Sequence, residues 1–157
     1  MDSSIHLPDI IANLHNGLYP KLGSGSGRRV YDLQDGSVLK VAKNIRGYAQ
    51  NQVEAIISEM DDSEQFAKVL LISKDNLYLV MEKAETITDF SQVRNYFKVR
   101  TNQELFQLNN LNYIPYKYNL LTSDLCRPAN WGFLHGRPVI IDYGFTGRIR
   151  RKYYSFL

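Results

Sequence analysis

Two short runs of alternating apolar residues, Arg29–Leu33 and Val38–Ala42, stand on either side of Gln34-Asp35-Gly36-Ser37. Side chains alternate across the faces of a strand, and Asp-Gly marks a tight reversal, so the pair predicts an antiparallel hairpin. The residues after this hairpin narrow the fold further. Tyr48–Met60 carries Val53, Ile56, Ile57 and Met60 on one helical face, and residues 66–73 and 76–82 read as two more strands joined by Lys74-Asp75-Asn76. With a strand ahead of the glycine-rich stretch Gly23–Gly27, the order is strand, strand, strand, helix, strand, strand. The expectation is an α+β chain whose first half is an antiparallel sheet with one main helix.

The remainder has a different texture. Residues 5–18 place apolar side chains at helical spacing, with Pro8 near the start. Residues 89–111 read as one helix capped by Asp89, with Phe90, Val93, Leu105 and either Tyr96 or Phe97 on its buried side. Residues 130–142 read as a second hairpin turning at His135–Gly136. A boundary at Ala84–Thr88 separates a mostly β lobe, residues 1–84, from an α-rich lobe, residues 85–157, and would leave a cleft between them.

Composition removes several classes. A chain of 157 residues with 44% hydrophobic residues, eleven Tyr and seven Phe has the material for a packed core. No apolar run approaches the roughly 18 residues that span a bilayer, and the N-terminus lacks the charged-then-apolar pattern of a signal peptide. The single cysteine, Cys126, has no partner for an internal disulfide and suits a reducing compartment, so a cytoplasmic protein without membrane contact is expected. A net charge of +3 gives no reason to expect nucleic acid as the partner.

Polar residues then supply the chemistry. Asp142 ends the run Val139-Ile140-Ile141 and is followed by Tyr143-Gly144. A carboxylate delivered by a buried strand is costly to place unless a cation meets it. Lys40 sits in mid-strand between Leu39 and Val41 and needs an acid partner for the same reason. Glu54, on the edge of the following helix, is the candidate; Glu59 is the other acid within reach, and Lys43 points to the opposite strand face from Lys40.

Taken in order, a glycine loop between strands, a strand lysine, a helix glutamate, an Asp…Asn loop and a strand-end Asp-Tyr-Gly resemble the protein-kinase-like superfamily. The phrases around Asp35–Asn44, Asp124–Gly132 and Val139–Gly144 are similar to compact kinase-like proteins encoded by bacteria and their phages. The resemblance covers about Leu22 to Gly144. It implies a two-lobed fold with a truncated α-rich second lobe, and ATP with Mg²⁺ as cofactors.

The resemblance also implies roles. Gly23, Gly25 and Val30 fall in register with the family's glycine loop, with Gly27 displaced by one and Arg28 in the third glycine slot, where it would add positive charge at the phosphates. The same stretch also reads as a flexible serine–glycine hairpin tip. Lys40, held by Glu54, would meet the α and β phosphates. Val38 and Ala42 would cover the adenine, and Met81, Glu82 and Ala84 would form the connection that offers it backbone groups. Asp124 would accept the acceptor hydroxyl's proton, while Asn130 and Asp142 would hold the metal. Asp124 reads equally as the cap of a short loop. Arg127 falls near the position of a lysine that steadies the transferring phosphoryl group.

Three departures bear on activity. Thr122 and Ser123 stand where the family has His and Arg, Asp124 and Asn130 are six positions apart where the family has five, and only 13 residues follow Gly144. Those residues hold no Ala-Pro-Glu motif and leave no room for a helical peptide platform. They do contain Arg148, Arg150, Arg151 and Lys152 beside Tyr153, Tyr154 and Phe156. This basic-aromatic tail reads either as a solubilising end or as a docking contact, for an acidic partner, a nucleic-acid backbone, or a protein substrate or host protein partner. Two functions are consistent with this set: a minimal Ser/Thr protein kinase-like phosphotransferase, or a pseudokinase-type binding module that regulates a partner.

Overall fold

The computed structural model describes residues 5–154. After α1 (Leu7–His15) come β1 (Lys21–Ser24), β2 (Arg28–Asp32) and β3 (Ser37–Ala42), then α2 (Ile45–Met60), β4 (Val69–Ile72) and β5 (Tyr78–Glu82). The five strands form one antiparallel sheet in the order β1-β2-β3-β5-β4. The α+β architecture expected from the sequence is therefore present, with α2 as its long helix. Asp32 and Asp35 build the first hairpin's loop by accepting the backbone N–H groups of Gln34 and Ser37 at 2.8 and 2.9 Å. Gly36, at φ 89°, takes a left-handed conformation there that a side chain would resist.

The strand period of two divides the core. Leu39 and Val80, both fully buried, pack with Ile10 and Leu33 beneath α1 on one face. Val38, Leu79 and Met81 face the other way, into a larger cluster that includes Ile57 of α2 and continues through Phe66, Trp131, Ile140 and Tyr143. Lys40 shares this second face, flanked across the sheet by Val30 and Leu79.

Beyond β5 the chain forms β6 (Glu85–Thr86), α3 (Ser91–Phe97), α4 (Asn102–Leu105), α5 (Ile114–Lys117) and α6 (Thr122–Leu125). It ends in β7 (Trp131–Leu134), β8 (Arg137–Ile140) and α7 (Gly147–Tyr153). β6, β7 and β8 make a small antiparallel sheet. The β7–β8 hairpin turns at His135 and Gly136, at φ 53° and 76°, as the sequence indicated. Asp61, which ends α2, ties that helix to the second half by accepting hydrogen bonds from the hydroxyls of Tyr113 and Tyr118 at 2.9 and 2.6 Å.

The single helix expected over residues 89–111 is broken. α3 stops at Lys98, which takes a left-handed φ of 58°, and α4 restarts four residues later, capped by Thr101. The restart has a physical cause in Thr101-Asn102-Gln103-Glu104: the Thr101 hydroxyl accepts from Glu104 N at 3.1 Å, and the Glu104 carboxylate accepts from Arg100 N at 2.9 Å. This reciprocal arrangement is close to a capping box and favours a new helix start over continuation. Asp89 lies one residue before the capping position, where it accepts from Ser91 N at 2.8 Å. Tyr96 is exposed, so Phe97 is the aromatic turned inward. No helix among the described residues is long and apolar enough to cross a membrane.

Candidate functional site

Four charged side chains from distant elements converge where the first sheet meets the second half. Lys40 projects from β3, and its Nζ lies 2.9 and 3.0 Å from the two carboxylate oxygens of Glu54. Glu54 is fully buried on α2, where Asn51, one helical turn earlier, presents to the same side. The Lys40 ammonium also donates to Ile141 O at 2.7 Å, one residue before Asp142. Glu54 in turn accepts the Tyr143 N–H at 3.1 Å. Strand, helix and the Asp142-Tyr143-Gly144 corner thus meet on one carboxylate. Lys43 and Glu59, the other candidates, are exposed, and Lys43 donates instead to the Ser24 hydroxyl at 3.1 Å.

Arg28 takes a position the glycine-loop pattern did not indicate. It belongs to β2 and is 6% exposed, with its guanidinium turned inward and not toward the open loop. It grips Glu54 with two hydrogen bonds of 2.7 and 3.0 Å, reaches Asn51 Oδ1 at 3.1 Å, and meets Asp142 Oδ1 at 3.0 Å. Planar two-point pairing of this kind is strong and directional. Burial pushes the Glu54 carboxyl up, but the charges of Arg28 and Lys40 outweigh it and hold it down at about 2. Burial, with the neighbouring Arg28 charge, holds Lys40 below the usual lysine range despite Glu54. The sequence signal for this arginine was its inward parity with Val30 and Lys40's neighbours, which the glycine pattern obscured.

These groups stand at one end of a cleft of about 1170 Å³. Gly23, Gly25 and Gly27 form its rim, Val30 and Val38 its apolar wall, and Met81, Glu82 and Ala84 the connection along its edge. Val38 and Met81 are direct cross-strand partners, so together they present one apolar surface. Ala42 does not reach the cleft: it packs against Gly47 at the start of α2, leaving Val30 in its expected place. In the connecting segment, Glu82 N and Lys83 N donate to Lys68 O and Gly36 O, at 3.0 and 2.9 Å. Ala84 N, which follows them, has no hydrogen-bond acceptor among the described residues.

The glycine rim is held at both ends. Asn44 caps α2 by accepting from Arg46 N and Gly47 N, and its amide donates to Ser26 O at 2.9 Å. A Cβ on Gly47 would lie 2.1 Å from Gly27 O, so only glycine allows the helix start this close to the loop. On the outer side, the hydroxyls of Ser26 and Tyr154 are 2.7 Å apart, and the Arg46 guanidinium lies 4.4 Å from the centre of the Tyr154 ring. The tail therefore folds back: Thr146 caps α7, Ile149 is buried, and Tyr154 lines the cleft. Phe156 lies outside the described residues.

Asp124, Asn130 and Asp142 face the cleft from below. The sixth position between Asp124 and Asn130 is absorbed by a tight 3₁₀ turn over Pro128–Asn130, and Asn130 Nδ2 donates back to Asp124 O at 2.7 Å. Asn130 precedes β7 and Asp142 follows β8, and the pairing of Trp131 with Ile140 sets the two side by side. One carboxylate oxygen of Asp124 is buried without a hydrogen-bond partner. Burial first, and then the Asp142 charge, raise the Asp124 carboxyl above the usual range, while Arg127 and Arg150 pull it down. The amide oxygen of Asn130 and the exposed carboxylate of Asp142 make an oxygen-only set. That set fits Mg²⁺, which takes one or two carboxylates and completes its shell with phosphate and water.

No protein-family model matches this chain, and no curated protein matches it in sequence. Solved structures resemble it in shape. The kinase domain of Mycobacterium tuberculosis PknI aligns with a TM-score of 0.47 at 18% identity, covering 82% of this chain and 60% of that one. APH(2")-IIa, solved in a ternary complex with streptomycin and ATP, aligns with a TM-score of 0.49 at 16% identity, covering 92% of this chain and 71% of that one. The chain thus spans about three fifths of the first of these.

Proposed function

We propose that this chain is a minimal ATP- and Mg²⁺-dependent phosphotransferase of the protein-kinase-like kind, acting on a Ser or Thr hydroxyl of a protein. The observation that carries the reading is the buried Lys40–Glu54 pair set directly behind Asp142, at 2.9 Å, with Lys40 also bonded to Ile141 O. A lysine buried in a sheet, paired by a helix and anchored next to a metal-type carboxylate is more than packing requires.

In this reading Val30, Val38 and Met81 enclose the adenine, and Ala84 N donates to it. Gly23, Gly25 and Gly27 let backbone N–H groups approach the phosphates, and Lys40 supplies charge to them. Asn130 and Asp142 would hold Mg²⁺, which supplies charge neutralisation at the phosphates when bound. Asp124 receives the acceptor hydroxyl's proton as its oxygen bonds to the γ-phosphorus. The bond from that phosphorus to the bridging oxygen breaks, and the electron pair leaves on ADP. The protein's contribution is position and charge rather than covalent chemistry. In the absence of nucleotide, Arg28 and Tyr143 N keep Glu54 in place.

The regulatory binding module is favoured by one observation: Asp142 is already engaged by Arg28. The experiment that separates the two is nucleotide binding and transfer with the chain and its Lys40→Ala variant. The phosphotransferase reading expects a thermal shift with Mg·ATP and transfer of labelled γ-phosphate, both lost in Lys40→Ala. Nucleotide binding without hydrolysis or transfer, with Asp124→Ala retaining the biological effect, selects the binding module.

A further inference from the structure

The acceptor side of the cleft carries a charge pattern that specifies what it takes. Leu120 and Thr146 form an antiparallel bridge, and Gly147 N donates to Asn119 O at 2.9 Å, so α7 is stitched to the segment that leads into Asp124. Arg150 lies one turn into that helix, its N–H bonded to Thr146 O. From the other direction Arg127, three residues after Asp124, lines the cleft. Both arginines act on the Asp124 carboxyl. Arg127, Arg148 and Arg150 are exposed, and none of the three makes a side-chain hydrogen bond or ion pair among the described residues.

The distribution of charge along the chain sharpens this. From Leu125 to the end the chain contains one acid, Asp142, against Arg127, Arg137, Arg148, Arg150, Arg151 and Lys152. Arg137 is turned away: it sits at the opposite end of the β7–β8 hairpin from Asp142 and pairs with Glu64 at 2.7 Å. The positive field is also local. Along the same cleft the far edge carries Glu82 and Glu85, with Lys83 between them paired to Asp32 at 2.7 Å. A long polyanion crossing the cleft would run from the arginines into those acids, whereas a short anionic segment would not.

We propose that the acceptor is a Ser or Thr within an acidic peptide segment, with Arg150 of α7 and Arg127 beside Asp124 reading the acidic side chains that flank the hydroxyl. This rests on the phosphotransferase reading for the hydroxyl's fate, but the charge recognition stands apart from it. The Asp124 carboxyl is the group the hydroxyl meets; Arg127 lines the cleft with it, and Arg150 stands on the helix stitched to the segment that leads into it. The tail is then part of the acceptor site and not a separate arm.

The test uses the full chain and two matched serine peptides, one flanked by Asp and Glu and one by Lys and Arg, with binding followed by fluorescence anisotropy. At about 0.15 M salt the Debye length is about 8 Å, so a difference surviving there reports close pairing and not net charge. The acidic peptide is expected to bind about tenfold more tightly than the basic one, and Arg150→Glu to remove that preference with the Mg·ATP thermal shift unchanged. Arg137→Glu changes net charge equally and is expected to leave binding alone. Equal binding of the two peptides, or an Arg137→Glu loss as large as that of Arg150→Glu, overturns the proposal. Tighter binding of a single-stranded RNA of matched charge overturns it in favour of nucleic acid. Acidic-peptide binding with no Mg·ATP shift supports this face and sinks the phosphotransferase reading instead.

Discussion

Arg28 and Asp142, 114 positions apart in the chain, are joined by a charged hydrogen bond of 3.0 Å, and the same guanidinium holds Glu54 at two points. One cation thereby fixes both the helix carboxylate and the carboxylate suited to a metal. Asp142 is 48% exposed at its side chain, so a divalent ion held there as proposed would have to displace Arg28 from Oδ1 or share the carboxylate with it.

Arg28→Met should therefore have two opposed effects. Removing one member of a buried ion cluster costs about 3 kcal/mol of stability, read from urea unfolding, because Glu54 keeps only Lys40 and Tyr143 N. Mn²⁺ binding without nucleotide, measured by electron paramagnetic resonance, should tighten by about tenfold as Asp142 loses its internal competitor. An unchanged Mn²⁺ affinity would show that the arginine and the ion do not compete.

Glu54 should contribute to acid sensitivity. Its folded carboxyl titrates at about 2 against an ordinary value of 4.5. A depressed folded value means a stabilising contribution that is complete above pH 4.5 and is lost as pH falls toward 2. Unfolding free energy measured across that window should fall steeply for the native chain and more gently for Glu54→Gln, which has no proton to take up. Parallel slopes for the two would place the acid-labile group elsewhere.

The catalytic pH profile should be governed by Asp124, whose carboxyl is raised by burial and by Asp142. A base must be deprotonated to act, so kcat/KM should fall on the acid side at a pH above that of an ordinary carboxylate. Arg150→Ala removes a cation that pulls this value down and should move the acid limb to higher pH. A limb that moves the other way, or a flat profile, removes Asp124 from the role.

Gly144 offers a purely steric test. A Cβ there would lie 2.6 Å from Gln50 O and 2.8 Å from Gln50 Cβ, and the backbone oxygen of a helix cannot move aside alone. Gly144→Ala should cost about 2 kcal/mol by forcing the Asp142-Tyr143 corner off α2. The Mg·ATP thermal shift should weaken with it, because Asp142 moves relative to Lys40. Full stability and an intact shift in this variant would mean the corner tolerates displacement.

Much of this arrangement was legible in the residues. Alternation in Val38–Ala42 gave the face of Lys40, and His135–Gly136 gave the hairpin that brings Asn130 to Asp142. The apolar stripe expected in α2 is not its buried face, because Ile56 and Met60 are exposed and the helix buries Gly47, Gln50, Asn51, Glu54 and Ile57 instead. What escaped was non-local or compensatory. The inward turn of Arg28 depends on two carboxylates from elsewhere in the chain, and a pattern that expected glycine at that place directed attention to phosphates. The break between α3 and α4 was local and readable, in Thr101 and Glu104, but the apolar spacing across it continued and masked the restart. Ala42 kept the right strand face yet lost the cleft to Gly47, a distinction set by how closely α2 approaches and not by parity.

The contact between Tyr154 and Ser26 has a practical corollary for handling the protein. The glycine rim of the cleft is touched by Tyr154, whereas α1 covers the opposite face of the sheet, against Leu39 and Val80. An affinity tag or fusion partner attached after Tyr154 would stand beside the mouth of the cleft and bear on every measurement made there. The same addition ahead of α1 would be screened from the mouth by the whole thickness of the sheet.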